Sequence, residues 1–132
     1  MQLTQPESNT PMVTIINGGT QGLGEAIARK LVADGASGLV LTGRSVDRGK
    51  ALATEFEKLG TPTLFLSVDI NSEGAPQFII DASSERFGKI YGLVNVAALT
   101  TRATLFEDTP DHFDRMMHQN LCVPYFFTQA IA

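Results

Sequence analysis

A glycine-rich stretch at residues 17–24 constrains this chain more than any other feature. It follows a short apolar run and opens an amphipathic pattern that is typical of a helix. Gly18, Gly22 and Gly24 let the backbone turn sharply and approach a negatively charged ligand, because none of them carries a side chain. The amides at the start of the helix then face that ligand, and the helix dipole favours its charge. The stretch therefore predicts a turn that binds the pyrophosphate of a dinucleotide.

Apolar runs alternate with helical patterns along the chain. The runs predict strands at residues 13–17, 39–42, 63–68 and 90–96. They are nearly continuous in apolar character, as expected of strands that are buried on both faces. Strand and helix in this rhythm indicate right-handed crossovers between parallel strands. We therefore predict an α/β fold, with a parallel sheet of strand order 3-2-1-4 and helices on both faces.

Capping residues and apolar stripes predict the helices. The predicted spans are residues 22–34, a helix after Ser45 that ends before Gly60, residues 72–87, and a helix that follows Thr109 and continues to the last residue. Ser45 and Thr109 are suitable N-caps. Gly35, Gly60 and Gly88 are suitable stops. The apolar side chains predicted to face the core are Leu23, Ile27, Leu31, Val32, Leu52, Phe56, Leu59, Phe78, Ile79, Ala82 and Phe87.

Composition excludes several classes of function. The 132 residues predict one domain, residues 12–132, preceded by a flexible tail at residues 1–11. The net charge of −4 leaves no basic cluster for nucleic acid, and the apolar runs are too short to span a membrane. The single cysteine, Cys122, fits a reducing, cytoplasmic location. The spacing of His112 and His118 does not suit a metal pair, so we expect no metal site.

The residue that reads the ribose is expected about 20 positions after Gly24, at the end of the second strand. An acid there would bond the 2′-hydroxyl of NAD and repel a 2′-phosphate. The chain instead has Gly43 followed by Arg44, whose guanidinium suits a phosphate. This pair favours NADP over NAD. The alternative is that Arg44 is only a solvated loop charge.

These motifs resemble those of the short-chain dehydrogenase/reductase family, in its single-domain branch. Residues 17–24 are similar to that family's Thr-Gly-x-x-x-Gly-x-Gly, with Asn17 in place of threonine. Asp69, after the third strand, resembles the aspartate that bonds the adenine ring. Residues 95–98 are similar to the family's Asn-Asn-Ala-Gly segment, with Asn95 and Ala97 matching. The resemblance covers nearly all of residues 12–132 and implies the first half of a Rossmann-type domain.

The resemblance implies a cofactor site and a catalytic asparagine. The cofactor-binding residues are expected to be Gly18, Thr20, Gln21, Gly22, Leu23, Gly24, Arg44, Asp69, Ile70, Asn95 and Ala97. Asn120 resembles the family's structural and catalytic asparagine, whose carbonyl is thought to hold a water of the proton relay. In a helix, that carbonyl would accept a bond from residue 124, which is Pro124 and has no N–H. We hypothesise that Pro124 keeps the carbonyl of Asn120 open; the alternative is that it only kinks the helix.

The resemblance also implies hydride transfer between NADP(H) and a ketone or secondary alcohol. The family's serine, tyrosine and lysine would follow the next strand, beyond Ala132. Neither Tyr91 nor Tyr125 has a lysine four positions later. We therefore expect this sequence to be an N-terminal fragment that binds cofactor without turnover, from an enzyme that is a homodimer or homotetramer. The alternative is a complete, non-catalytic dinucleotide-binding or sensor module.

Overall fold

The computed structural model describes residues 11–132. Apart from Pro11, which is exposed, the tail predicted for residues 1–11 lies outside this part of the chain. The strands are β1 (Val13–Asn17), β2 (Gly38–Gly43), β3 (Thr63–Ser67) and β4 (Gly92–Asn95). The helices are α1 (Gly22–Ala33), α2 (Val46–Lys58), α3 (Ala75–Phe87), α4 (Pro110–Met117) and α5 (Val123–Ile131).

The strands form one parallel sheet in the order β3-β2-β1-β4, which confirms the predicted topology. Ile15 of β1 pairs with Val40 of β2 on one side and with Leu93 of β4 on the other. Every residue of β1 is buried, because the strand has a neighbour on each side and helices over both faces. The chain adds β2 and β3 on one side of β1 and then crosses to the other side to form β4, so the order of strand addition reverses at β1. In sheets of this kind, ligands bind in the crevice at that point.

Two apolar cores lie on opposite faces of the sheet. Side chains alternate along a strand, so the neighbours Ile15 and Ile16 point into different cores. Ile16 packs with Ala28 of α1 and Phe56 of α2, and all three side chains are fully buried. Ile15 packs in the other core with residues of α3 and α5, including Phe127. The helices are therefore held over the sheet by burial on both sides.

The predicted helix caps are present. The Ser45 hydroxyl accepts a hydrogen bond from the Arg48 amide at 3.4 Å, and the Thr109 hydroxyl accepts one from the His112 amide at 3.2 Å. The helices α1 and α2 also end as predicted, because Gly35 takes up the left-handed conformation that lets the chain leave the helix, as does the glycine after α2. The two N-caps mark where the loops from the carboxyl edge of the sheet end and α2 and α4 begin.

An ion pair joins α1 to α2. The guanidinium of Arg29 donates to both carboxylate oxygens of Glu55, at 2.6 and 3.2 Å, and lies 5.6 Å from the centre of the Phe56 ring. The hydrogen bond from Arg29 holds the pKa of the Glu55 carboxyl below its ordinary value. Both groups are exposed, so water screens much of this interaction. The pair therefore adds little to the apolar packing that holds α2 beside α1.

Three side chains predicted to face the core are exposed. Leu23 and Leu59 are 67% and 65% exposed; the first lies in the first turn of α1, and the second is the residue at which α2 ends. Phe78 is 53% exposed. The buried line of α3 runs through Ala75, Ile79 and Ser83, and Phe78 lies one residue, or roughly 100°, away from it. The predicted inward orientation was wrong for these three residues.

The last predicted helix is interrupted. Helices α4 and α5 are separated by a π-helical turn at His118–Cys122, in which the Val123 amide bonds the His118 carbonyl five residues earlier. Pro124 has no N–H to donate, and its ring crowds the carbonyl of the preceding turn, so the wider turn relieves that conflict. The prediction of one continuous α-helix was therefore wrong in this detail. The third helix also begins at Ala75 rather than at residue 72, after Gly74 in a left-handed conformation.

No helix of residues 11–132 combines the length and the apolar character that crossing a membrane requires.

Candidate cofactor-binding site

A cavity of about 450 Å³ lies along the carboxyl edge of the sheet. Segments that follow all four strands contribute to its wall, so it spans the crevice where the order of the strands reverses. Polar groups dominate the lining. The predicted residues that line it are Gly18, Thr20, Gln21, Arg44, Asp69, Ile70 and Ala97. The topology therefore brings together residues that are up to 79 positions apart, from Gly18 to Ala97.

The turn after β1 explains the spacing of its glycines. Gly22 has a φ of +53°, and a Cβ built on it would meet no heavy atom of the described residues within 4 Å. The backbone is thus open to a ligand at this point. A Cβ on Gly24 would lie 1.9 Å from the carbonyl oxygen of Gly18. The first turn of α1 is therefore packed directly against the loop that precedes it.

A buried polar network holds this edge of the sheet together. Asn17, only 1% exposed, accepts a hydrogen bond from the Thr42 hydroxyl at 3.2 Å and donates to the Asn95 side-chain oxygen at 3.1 Å. The Thr42 hydroxyl accepts from the Gly18 amide at 3.3 Å. The carbonyl of Asn17 accepts from the amides of Val96 and Ala97, at 3.0 and 2.9 Å. The turns after β1, β2 and β4 are therefore cross-linked at one point.

Sequence reasoning missed this network. Its signal was available, because Asn17, Thr42 and Asn95 are the polar residues at the ends of three apolar runs. The register of the sheet pairs Asn17 with both of the others. Asn95 was predicted to bind cofactor directly, and in the structure its side chain supports Asn17 at the edge of the cavity.

Positive charge is concentrated at the end of β2. Arg44, Ser45 and Arg48 all line the cavity, and sequence reasoning named only the first of them as a ligand-binding residue. Arg48 donates a hydrogen bond to the side-chain oxygen of Gln21 in the turn after β1. The signal for Arg48 was its place four residues after Arg44, one turn into the predicted helix.

Hydrogen-bonding groups line the cavity near the end of β3. The carboxylate of Asp69 accepts from the amide of Asn71 at 2.9 Å, and the Asn71 side chain donates to Gln119 at 3.1 Å. The side-chain oxygen of Asn71 is buried and has no hydrogen-bond partner among the described residues. A buried acceptor of this kind is costly unless a ligand or water donates to it. Asp69, Asn71 and Gln119 give this end of the cavity polar groups of the kind that contact a nucleobase.

Four predicted residues besides Asn95 lie around the cavity rather than in its wall. Gly22, Leu23 and Gly24 form the first turn of α1, next to the lining residue Gln21. Asn120 lies in the π-helical turn, where its side chain accepts from the Leu99 amide at 2.8 Å and donates to the Leu99 carbonyl at 2.9 Å. Asn120 therefore ties the final helices to the loop after β4.

Asn120 lies within the π-helical turn, so the hypothesis that Pro124 keeps its carbonyl open now concerns a wider turn than the α-helix assumed for it. The chain stays helical from Pro110 to Ile131, with the wider turn at His118–Cys122. At the α-helical spacing of four residues, the donor to the Asn120 carbonyl would be residue 124, and Pro124 has no N–H. Whether that carbonyl holds a water of a proton relay stays a prediction.

Within residues 11–132, no group of three or more His, Cys, Asp or Glu side chains is arranged to hold a metal ion.

Comparison with known proteins follows the same lines. Residues 12–132 match the family model described as short chain dehydrogenase. The chain is 30% identical over 128 residues to the short-chain dehydrogenase/reductase FrzI of Cladobotryum sp, covering 97% of this chain and 50% of that protein. It is 32% identical over 118 residues to an NADP-dependent (R)-specific alcohol dehydrogenase of Lentilactobacillus kefiri, covering 89% of this chain and 46% of that protein.

Solved structures share the architecture. A 3-oxoacyl-[acyl-carrier protein] reductase from Brucella melitensis superposes with a TM-score of 0.83 at 33% identity, over 94% of this chain and 50% of that one. A short chain dehydrogenase from Burkholderia cenocepacia in complex with NADP gives 0.85 at 30% identity, over 92% of this chain and 49% of that one. The chain thus spans about half the length of each of these four proteins.

Proposed function

This chain belongs to the short-chain dehydrogenase family, and we propose that it is the cofactor-binding half of an NADP(H)-dependent oxidoreductase that acts on a ketone or secondary alcohol. One observation carries the choice of cofactor: the ribose end of the cavity has Arg44 and no carboxylate directly after β2. An NADP-dependent relative and a neighbour solved with NADP support it. When bound, NADP(H) supplies the hydride chemistry, and the protein supplies orientation and proton movement.

Residues along the cavity match the successive parts of NADP(H): the pyrophosphate, the 2′-phosphate and the adenine. The amides at the start of α1 would hold the pyrophosphate, because they have no partner within the helix and Gly22 leaves open space beside them. Arg44 would hold the 2′-phosphate. Asp69 and Ile70 would bind the adenine end, beside the unpartnered acceptor of Asn71. This order follows the sheet, from β1 across β2 to β3.

The reactive end of the cofactor would lie near β4. We propose that Ala97, in the segment after β4, lines the nicotinamide side and that Asn95 supports it through Asn17. Asn120 would orient the same loop through Leu99 and offer its carbonyl to a water of the proton relay. In this proposal the chain places the nicotinamide and one end of a proton path.

We propose that these 132 residues bind the cofactor but do not catalyse the reaction. Tyr91 and Tyr125 are both exposed, and neither has a lysine four positions later to form the family's catalytic pair. The remaining half of a protein twice this length would provide the serine, tyrosine and lysine and the pocket that selects the carbonyl or alcohol substrate. The half-exposed apolar side chains of α5, Tyr125 and Phe126, suit a homodimer or homotetramer of that longer enzyme.

Replacing Arg44 with alanine is expected to remove most of the preference for NADPH. Loss of a charge-assisted, bidentate contact should raise the dissociation constant for NADPH about 20-fold, while that for NADH changes less than about 2-fold. Both constants can be measured by titration, following nicotinamide fluorescence. Arg115→Ala is the matched control, because it removes the same charge from α4, where Arg115 pairs with Asp111 away from the cavity.

Two results would contradict the proposal. Equal affinity of the unmodified chain for NADPH and NADH would exclude a 2′-phosphate site. Retained preference in Arg44→Ala would show that Arg44 is a solvated loop charge and that discrimination lies elsewhere.

A further inference from the structure

We propose that Arg48 is a second cation for the 2′-phosphate, held over the ribose end of the cavity by Gln21, and that it determines the preference for NADP(H) together with Arg44. The inference rests on the proposed cofactor function and deepens it. The observation behind it is a hydrogen bond that crosses the mouth of the site, from the guanidinium of Arg48 to the side-chain oxygen of Gln21.

The contact joins two elements that both contribute to the cavity. Gln21 is the last residue before α1, and Arg48 lies in the first turn of α2, 27 positions later. Both side chains line the cavity, as do Arg44 and Ser45. The guanidinium of Arg48 is therefore kept beside the phosphate-binding turn instead of extending into solvent.

The position of Arg48 in its helix is electrostatically unfavourable without an anion. With Ser45 as the N-cap, Arg48 is the third residue of α2. The start of a helix carries partial positive charge, which favours acidic side chains such as Asp47 and disfavours a cation. An arginine at this place, together with Arg44 next to the cap, concentrates positive charge at one point. A ligand phosphate would offset it, because a phosphate monoester carries roughly two negative charges near neutral pH.

The charge of Arg48 is not neutralised by the protein. Its partner Gln21 is a neutral amide, and the ion pairs formed among residues 11–132 involve neither Arg48 nor Arg44. The carboxylate of Asp69 also lines the cavity, but it follows β3 and accepts from the amide of Asn71. A neutral holder orients the guanidinium and leaves its charge available. A carboxylate at residue 21 would compete with the phosphate for it.

The test compares NADPH and NADH binding to variants of this chain by calorimetric titration. Arg48→Gln removes the charge and keeps a polar side chain that reaches towards Gln21. We expect it to raise the dissociation constant for NADPH about 10-fold and that for NADH less than about 2-fold. Gln21→Met removes the acceptor of the hydrogen bond from Arg48 and keeps the side-chain length. It should raise the dissociation constant for NADPH about 3-fold, because Arg48 is then no longer held in place. Arg115→Ala again controls for the change in net charge.

The outcomes separate this inference from the proposed function. If Arg44→Ala loses the preference for NADPH while Arg48→Gln keeps it, the inference is wrong and the proposed function stands. If Arg48→Gln weakens NADPH and NADH equally, Arg48 only braces α2 against the turn after β1, and the inference is again wrong. An unmodified chain without preference contradicts the proposed function and this inference with it. A selective loss in Arg48→Gln, beside normal binding in the control, supports the second cation.

Discussion

Replacing Gly24 with alanine is expected to abolish dinucleotide binding and to lower the free energy of unfolding by about 3 kcal/mol or more. The added Cβ would lie 1.9 Å from the carbonyl oxygen and 2.8 Å from the carbonyl carbon of Gly18. Both are backbone atoms, so no side chain can rotate to make room. The turn after β1 must move away from α1, and the helix amides lose their place beside the pyrophosphate. Urea unfolding and titration with NADPH measure the two effects.

Two other glycines provide the controls. Gly60 has a φ of +92° and open space around it, so Gly60→Ala should cost about 1 kcal/mol through backbone strain alone and leave binding unchanged. Gly22→Ala, with a φ of +53°, should cost a similar amount of stability. If the pyrophosphate approaches Gly22, that variant also weakens binding while remaining folded. A Gly24→Ala chain that matches the unmodified one in both measurements would show that the close packing of α1 on its loop is not required.

The topology could be predicted because its signals are local. Buried parallel strands are continuous apolar runs, and helix ends are marked by residues such as Ser45, Thr109 and Gly35, whose chemistry acts on the nearest turn. Strand order follows from the handedness of the connections. These features need no knowledge of distant contacts.

The differences arose where distant contacts decide. Leu23 belongs to an apolar stripe by spacing, yet its side chain is exposed in the structure, and no local pattern marks this difference from the rest of the stripe. The π-helical turn at His118–Cys122 is a different case, because its cause is local: Pro124 marks where the helical bonding fails, but not which wider turn relieves the conflict. Spacing along the chain predicts which face a residue occupies, but not whether another element covers it.

The candidate site likewise contains residues that could be placed from the sequence and contacts that could not. Gly18, Arg44 and Asp69 could be placed at one edge of the sheet because each follows a strand, and parallel strands end at the same edge. Gln21 and Arg48 meet only because α1 and α2 pack on the same face of the sheet. The contact between them depends on that packing, which no motif in either segment specifies.

Asn17 offers the second large effect. Asn17→Ala is expected to lower the free energy of unfolding by about 2–3 kcal/mol, because it leaves the Thr42 hydroxyl, which is fully buried, without its acceptor. The main-chain bonds from Val96 and Ala97 to the carbonyl of residue 17 survive the change. The loss should therefore weaken the network without separating β1 from β4. Chemical unfolding in urea measures it.

Asn95→Ala is the control, because it removes only the bond between Asn17 and Asn95, from its exposed end, and leaves the bond from Thr42 to Asn17 in place. Water can replace the partner there, so this variant should cost less than about 1 kcal/mol. Asn17→Thr introduces the hydroxyl residue that the family has at this position and should recover part of the loss. Equal costs for Asn17→Ala and Asn95→Ala would mean that burial of the Thr42 hydroxyl does not set the energy of the network.

Thr42→Val completes a double-mutant cycle with Asn17→Ala. Since the two side chains share one hydrogen bond, the double variant should be more stable than the sum of the single losses predicts, by about 1 kcal/mol. The Thr42 hydroxyl also accepts a hydrogen bond from the Gly18 amide. Thr42→Val should therefore weaken NADPH binding even under conditions in which the variant is fully folded. Additive costs with unchanged binding would show that the network supports the sheet alone and does not position the phosphate-binding turn.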